Sequence, residues 1–280
     1  FYCWGHVAVV LLSTAYFALA GVDNWRYLPF LWAVLPFLNA FLYAKVPMTP
    51  PLAAHERTPL RALFSRKLFW VFLLMMICAG ASEQAMSQWS SLFAERGLNV
   101  SKTVGDLLGP CAFAALMGLA RLLYGKFGER LNIRRAMVFS AALCVCCYLV
   151  AANAPHPLLG LLGCALTGFS VALMWPGTFS IVARVFPQGG TAMFGILAVL
   201  GDVGCSVGPA LMGAVSGAVS GNANIAASFP NLTADQLGLK SGMLFSSVFP
   251  AFILIGVLLL TRFHKAANKK PSPKADLSEE

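Results

Sequence analysis

An all-α integral membrane fold is predicted by the composition of the chain and by the pattern of its apolar residues. Only 11% of the 280 residues are charged, compared with about 25% in a typical soluble domain. Hydrophobic residues make up 58% of the sequence, and the mean hydropathy is +0.73. So few charges cannot cover the surface of a soluble domain, and the apolar content excludes a disordered chain.

Eight apolar runs are long enough to be membrane-spanning helices. A helix needs about 20 predominantly apolar residues to cross about 30 Å of hydrocarbon, and prolines and glycines are tolerated inside such helices. The predicted spans are Cys3–Ala20, Tyr27–Ala44, Leu68–Trp89, Leu107–Tyr124, Met137–Asn153, Leu158–Val185, Thr191–Val219 and Ser241–Leu260.

The basic residues predict the orientation of the chain. Eight spans place both ends on one side of the membrane, and 16 of the 20 Lys and Arg residues fall in connections on that side. The positive-inside rule therefore predicts a cytoplasmic C-terminus. We expect a multi-pass protein of the plasma (inner) membrane. Because these residues flank apolar spans, they indicate contact with the lipid bilayer and exclude a nucleic-acid partner.

Enzymatic and metal-binding motifs do not occur in the sequence. It contains no Gly-x-Ser-x-Gly, His-Glu-x-x-His or Walker A pattern. The eight cysteines lie in apolar stretches, where they behave as small buried hydrophobic residues. Cys144, Cys146 and Cys147 lack further ligands at zinc-site spacing. We therefore expect no catalytic residues, no metal site and no cofactor.

A polar stripe in the third span is the first candidate site. Glu83 lies about 22 Å from the cytoplasmic end of this span, and an acid at such depth usually faces a cavity or a partner. Residues at three- and four-residue spacing share its helical face. They are Gly80, Glu83, Gln84, Ser87, Gln88 and Ser91. The stripe is interpreted as a substrate-binding face, and the alternative is a polar seam between helices.

Two further candidates lie deep in later spans. Asp202 is about 16 Å into the seventh span, close to the midplane. It either binds a polar substrate or a proton in a cavity, or is a structural acid held between helices. In the sixth span, Pro176 is predicted to kink the helix and free a carbonyl group. The neighbouring Trp175 either stacks on a sugar or another ring, or packs in the core.

Several segments resemble the major facilitator superfamily of transporters. Residues 24–30 (NWRYLPF) are similar to the turn between helices five and six, and residues 60–67 (LRALFSRK) resemble the end of the central loop. Residues 118–130, with Gly118, Arg121, Gly128 and Arg130, resemble the loop motif between helices eight and nine. The motif departs from the family pattern at Gly125, where an acid is usual.

Residues 80–83 (GASE) together with Trp89 look like the fucose permease-like (sugar/cation symporter) branch of the superfamily. The resemblance implies that the eight spans are helices five to twelve of a twelve-helix fold, so that the chain is a fragment. Residues 1–45 would be the last two helices of the N-terminal bundle, and residues 46–67 the cytoplasmic central linker. Residues 68–264 would form the C-terminal six-helix transport bundle, followed by a cytoplasmic tail over residues 265–280.

The resemblance also implies alternating access, with the substrate at the interface of two bundles. The expected function is secondary transport of a small polar solute, a sugar or related metabolite, by a monomer; coupling to H+, to Na+ or to no ion stays open. The alternative is a non-transporting sensor or scaffold. The expected substrate-binding residues are Glu83, Gln84, Ser87, Gln88, Trp175 and Asp202. The expected cytoplasmic gate residues are Arg121, Arg130 and Arg134.

Overall fold

The computed structural model describes residues 2–47 and 58–269, with side chains described as far as residue 261, and this part of the chain is all-helical. The α-helices are α1 (Tyr2–Ala20), α2 (Leu28–Tyr43), α3 (Leu60–Phe64), α4 (Lys67–Leu92), α5 (Lys102–Asp106), α6 (Ala112–Phe127), α7 (Ile133–Asn153), α8 (Pro157–Val171), α9 (Met174–Val185), α10 (Gly190–Ser220), α11 (Ala223–Ala227), α12 (Ala234–Ser246) and α13 (Val248–Lys269).

Seven helical segments in the described residues are long and apolar enough to cross a bilayer, which confirms the predicted all-α membrane fold. The second predicted span, Tyr27–Ala44, is not among these seven segments and corresponds to α2. This helix has 16 residues and rises about 24 Å, less than the thickness of a typical hydrocarbon core. Proline limits it, because Pro29 lies at its start and Pro36 interrupts its hydrogen bonding.

The sixth predicted span consists of two helices, as the proline in its sequence predicted. Helix α8 ends at Val171 and α9 begins at Met174. Pro176 has no N–H group, so the carbonyl oxygen of Ala172, four residues earlier, has no intrahelical donor. The break therefore exposes a backbone acceptor in the middle of the bundle.

The predicted boundaries of the linker and the tail fall partly on helices. Residues 48–57 and 270–280 lie outside the described residues. Within the predicted linker, α3 packs its buried Leu63 into the core, and the Thr58 N–H donates to the Gln188 carbonyl at 2.9 Å. The predicted tail begins at residue 265, whereas α13 continues to Lys269.

Helix α4 forms the centre of the bundle. Its residues Phe69, Phe72 and Met76 are fully buried, and it contacts α8, α9, α10 and α13. Around it, α7 packs on α8, α8 on α6, and α12 on α10, while α1 lies against α6. The elements that surround α4 therefore decide what its polar residues meet.

Glycines allow α4 and α10 to approach at backbone distance. A Cβ atom added at Gly204 would collide with the Ile77 carbonyl, and one at Gly208 would lie 2.6 Å from the Ala81 Cα. A Cβ at Gly80 would collide with the Gly201 carbonyl. Small residues serve this purpose in membrane helices, where van der Waals packing drives association. The contact fixes the face of α10 next to Glu83.

This contact predicts a strong effect of one methyl group. We expect Gly204→Ala to lower the unfolding free energy of the full-length protein in detergent by about 1–3 kcal/mol, because the bulk of Cβ forces the helices apart. Gly217→Ala on the same helix is the control, since nothing lies within 4 Å of a Cβ added there. Thermal unfolding measures both variants. Equal losses would contradict the role of the glycine contact.

Candidate functional site

A cavity of about 740 Å³ lies between α1, α4, α6, α9 and α10. Its volume is in the range of about 300–1,000 Å³ that is usual for small-molecule sites. The lining includes Glu83, Trp175 and Asp202. By helix rise, these residues lie about 15 to 24 Å from the ends of their spans that carry most of the basic residues. The cavity is therefore close to the middle of the bundle.

An ion pair between α4 and α6 occupies one wall of the cavity. The Arg121 Nη2 atom lies 3.6 Å from the Glu83 Oε2 atom. Glu83 is only 5% exposed, and the side chain of Arg121 is 29% exposed. Burying a carboxylate without a partner costs free energy. Glu83 can therefore stay charged at this depth only because the Arg121 guanidinium lies beside it.

Tyr2 of α1 completes this wall. Its hydroxyl donates to the Glu83 Oε1 atom at 3.2 Å, and the guanidinium carbon of Arg121 lies 5.4 Å from the centre of its ring. The second contact has the geometry of a cation–π interaction. Residues from three helices thus form one charged cluster, which we call the Glu83 cluster: Tyr2, Glu83 and Arg121.

The helix break supplies Arg121 with another partner. The Arg121 Nε atom donates to the Ala172 carbonyl at 3.3 Å, and Ala172 carries the oxygen that Pro176 leaves without an intrahelical donor. The prediction of a freed carbonyl therefore has a structural counterpart. Arg121 joins the charged pair to the junction of α8 and α9.

The structure corrects the expected position of Arg121. We expected it at the cytoplasmic gate, but it lines the central cavity, because a buried carboxylate and a free carbonyl both draw its long side chain inward. Arg130 and Arg134 do lie at the basic end of the bundle, in two different surface pockets. Neither has a carboxylate oxygen within 4 Å among the described residues.

Asp202 and Trp175 face the cavity from α10 and α9. The Asp202 carboxylate forms neither a hydrogen bond nor an ion pair with any described residue. The indole ring of Trp175 lies against Gly201, where an added Cβ would be 2.6 Å from the Cζ2 atom. Its Nε1 atom is buried and has no acceptor among the described residues. An unpaired buried donor is costly, so an acceptor entering the cavity would gain by bonding it.

The polar stripe on α4 was interpreted as a substrate-binding face or as a seam between helices, and its residues differ in this respect. Gln84 lines the cavity and accepts a hydrogen bond from the Gln88 Nε2 atom at 3.2 Å. Gln88 itself lies in an adjoining pocket of about 480 Å³ beside Trp89. Ser91 instead donates to Asp106, which is a contact between helices. Part of the stripe therefore faces the cavity and part forms a seam.

Ser87 is placed differently from the expectation. It was expected to bind substrate, but its side chain is buried and does not line the cavity. The adjacent part of α4 packs against the π-helical turn Leu107–Cys111, where Gly109 lies against Ser90. This packing covers the helix face that carries Ser87.

Four cavity residues were not identified from the sequence: Tyr2, Tyr124, Phe179 and Cys205. Three of them lie three or four residues after a cavity residue on the same helix, so helical spacing could have found them. Tyr124 follows Arg121, Phe179 follows Trp175, and Cys205 follows Asp202. Tyr2 offers no such signal, because only the packing of α1 on α6 brings it to Glu83.

A double-mutant cycle tests the ion pair. Glu83→Gln and Arg121→Gln are each expected to lower the unfolding free energy by about 2 kcal/mol, because each leaves one charge buried without its partner. The double variant should lose less than the sum, with a coupling of about 1 kcal/mol or more. Thermal and chemical unfolding in detergent measure the three variants.

The exposed pair Arg96–Asp235 is the matched control. Its atoms are 3.7 Å apart, but both side chains are 60% exposed. Removing Arg96 and Asp235 singly and together should show a coupling below about 1 kcal/mol, as for other surface pairs. If the Glu83–Arg121 coupling were no larger, the buried pair would not have the role assigned to it.

The fold and the cavity define a class of protein: a multi-pass helical membrane protein with a polar site at mid-depth between its helices. The chain belongs to the Major Facilitator Superfamily, which its sequence matches over residues 1–209 and over residues 112–278. The resemblance to this superfamily is therefore confirmed. Because its members are transporters, the expectation that the chain is not an enzyme is confirmed as well. The resemblance to the fucose permease-like branch stays a prediction.

The chain is also similar to individual proteins. The chain is 28% identical over 149 residues to the membrane protein MosC of Rhizobium meliloti, a match that covers 53% of this chain and 36% of MosC. It is also similar to two crystal structures of a bacterial homologue of the human lysosomal transporter Spinster, both inward-facing, at 15% sequence identity.

The occupied Spinster structure has a TM-score of 0.60, and the match covers 92% of this chain and 64% of the other. For the unoccupied structure the TM-score is 0.59, with 94% and 66% covered. At this identity the likeness shows the fold alone. The chain spans about a third of MosC and about two thirds of the Spinster homologue.

Proposed function

We propose that the protein containing this chain is a secondary transporter that moves a small polar solute across the membrane by alternating access. The observation that carries the proposal is the mid-depth cavity with a buried ion pair in its wall. Ionisable groups at this depth are expensive and mark solute or ion pathways. Superfamily membership agrees with a site at the midplane between helix bundles.

In this proposal each cavity residue has its own role in binding the solute. The Asp202 carboxylate, which has no partner among the described residues, accepts hydrogen bonds from solute hydroxyl or amino groups. The free indole N–H of Trp175 donates to a solute oxygen, and its ring covers an apolar face of the solute. Gln84 offers both a donor and an acceptor from α4. Glu83 and Arg121 hold the wall in place.

The Glu83 cluster is also the proposed point of coupling between bundles. Tyr2 lies in residues 1–45, the proposed end of the N-terminal bundle, whereas Glu83 and Arg121 lie in the proposed C-terminal bundle (residues 68–264). The hydroxyl–carboxylate and cation–π contacts of Tyr2 therefore cross between the two parts. A rocking motion must change these contacts, and a solute that bonds Arg121 or Glu83 competes with Tyr2 for them.

The proposed substrate class is a sugar or a related metabolite, as in the fucose permease-like branch. A sugar has apolar ring faces and many hydroxyl groups. The cavity provides an indole face, an indole N–H and a carboxylate, and the last two have no partner among the described residues. Coupling to H+ or Na+ belongs to the same proposal, with Asp202 as a candidate ion ligand. We also propose the plasma membrane, a cytoplasmic C-terminus and a monomer.

Uptake into liposomes by the full-length protein tests the site. Under an imposed proton or sodium gradient, Glu83→Gln and Asp202→Asn should each reduce uptake of a transported sugar about tenfold or more, which corresponds to about 1.4 kcal/mol of lost stabilisation. Glu129→Gln is the control, because Glu129 is an exposed acid that does not line the cavity. Unchanged uptake in both cavity variants would overturn the site assignment.

The same assay separates transport from the alternative, a sensor or scaffold with this fold. A sensor would bind solute without accumulating it under any gradient. Accumulation that depends on an ion gradient would support the proposed transporter, and dissipating the proton and sodium gradients in turn would identify the coupling ion.

Two substitutions of Trp175 should raise the KM for sugar uptake to different extents. Trp175→Phe keeps an aromatic ring but removes the N–H donor, and Trp175→Leu removes both. We expect the KM for sugar uptake to rise severalfold in the first variant and further in the second, in line with about 0.5–1.5 kcal/mol for each lost contact. Trp89→Phe is the control, because it removes an indole N–H that donates to the Pro209 carbonyl at 3.1 Å and does not line the cavity. Equal KM values for both Trp175 variants and the parent protein would exclude stacking on the solute.

A further inference from the structure

A second large cavity opens on the outer surface of the bundle, between α6, α7 and α8. This lateral groove has a volume of about 760 Å³ and is lined mainly by apolar side chains. Leu123, Phe127 and Phe139 on its walls are exposed, and Phe169 of α8 lies at its base. A concave apolar surface of a membrane protein must be filled from the bilayer, because an empty groove forfeits packing contacts.

The lateral groove is charged at one end only. Arg130 and Arg135 line it at the basic end of the bundle, where the chain turns from α6 into α7. Neither arginine lies within 4 Å of a carboxylate oxygen among the described residues. The backbone beside Arg135 is fixed, because the Asn132 side chain accepts hydrogen bonds from the N–H groups of Arg134 and Arg135. The groove thus presents two guanidinium groups, without carboxylate partners in the described part of the chain, above an apolar trough.

The guanidinium groups and the apolar trough together suit a ligand that has an anionic part and an apolar part. Guanidinium groups bind phosphate oxygens through paired, charge-assisted hydrogen bonds. An apolar trough that continues away from them towards the membrane interior suits an acyl chain. Basic pockets between membrane helices on the cytoplasmic side are suited to anionic headgroups. A free phosphate ion would leave the exposed walls at Leu123 and Phe139 without a partner.

We propose that the lateral groove is a binding site for an anionic phospholipid, with its phosphate on Arg130 and Arg135 and an acyl chain along Leu123, Phe127 and Phe139. The site is separate from the proposed solute cavity and does not depend on the proposed transport function. Tyr124 nevertheless lines both spaces. A lipid in the groove would therefore lie beside a side chain that also lines the central cavity.

Native mass spectrometry of the full-length protein tests the site. After delipidation, the protein is titrated with phosphatidylglycerol or with phosphatidylcholine of the same acyl chains. We expect phosphatidylglycerol to bind about tenfold more tightly, and the Arg130→Gln/Arg135→Gln variant to lose about tenfold of that affinity, through the loss of charge-assisted hydrogen bonds. Arg130→Lys/Arg135→Lys keeps the charge and should retain part of the selectivity.

The matched control is Arg134→Gln/Arg184→Gln. These two arginines line a neighbouring pocket at the same end of the bundle, which shares Leu131 and Asn132 with the lateral groove. Neither arginine lines the groove itself, so the variant changes the net charge equally without altering a groove residue. It should keep the preference for phosphatidylglycerol. An equal loss in both double variants would mean diffuse electrostatic attraction, and would overturn the proposal.

Two other results would overturn it. Equal binding of both lipids would show an apolar groove without headgroup recognition, and displacement of the lipid by millimolar inorganic phosphate would show a free-phosphate site. Size-exclusion chromatography and thermal unfolding verify that each variant is folded. If the double Gln variant unfolds, Arg130→Gln and Arg135→Gln are measured singly, and each should lower the affinity severalfold.

Discussion

The buried pair of Glu83 and Arg121 is the interaction on which the centre of this molecule depends. A carboxylate that is 5% exposed within a membrane bundle is stable only if a cation and hydrogen-bond donors reach it. Arg121 and Tyr2 meet this requirement from two other helices. Arg121 is in turn fixed by the Ala172 carbonyl that a proline leaves free. One acid thus constrains α1, α4, α6 and the junction of α8 and α9.

A second constraint, the glycine contact of α4 with α10, brings Asp202 to the same cavity. Close approach of two helix backbones leaves no room for side chains at the contact, so the residues beside it decide the chemistry of the site. Asp202 follows Gly201, and Cys205 follows Gly204; both line the cavity. The indole of Trp175 lies on Gly201 for the same reason. The unusual number of glycines in α10 is therefore connected with the geometry of the site.

The sequence alone predicted features that depend on single segments. Hydropathy located the spans, helix rise placed Glu83 and Asp202 at depth, and Pro176 predicted the break at Ala172. The sequence alone did not predict contacts between residues that lie far apart in the chain. The pairing of Arg121 with Glu83 joins residues 38 positions apart, and Tyr2 lies 81 positions from Glu83. Arg121 was expected at the gate but lines the central cavity, because a loop motif specifies the segment, whereas the partners available in the fold decide where the side chain points.

The two acids of the cavity have different electrostatic surroundings, which bears on the proposed coupling. Glu83 already has a cation and a hydroxyl donor, so a proton or sodium ion that binds there must displace one of them. Asp202 has no such partner among the described residues, and it faces the same space. A coupling cation would therefore bind at Asp202 with less rearrangement, while Glu83 and Arg121 keep the wall intact.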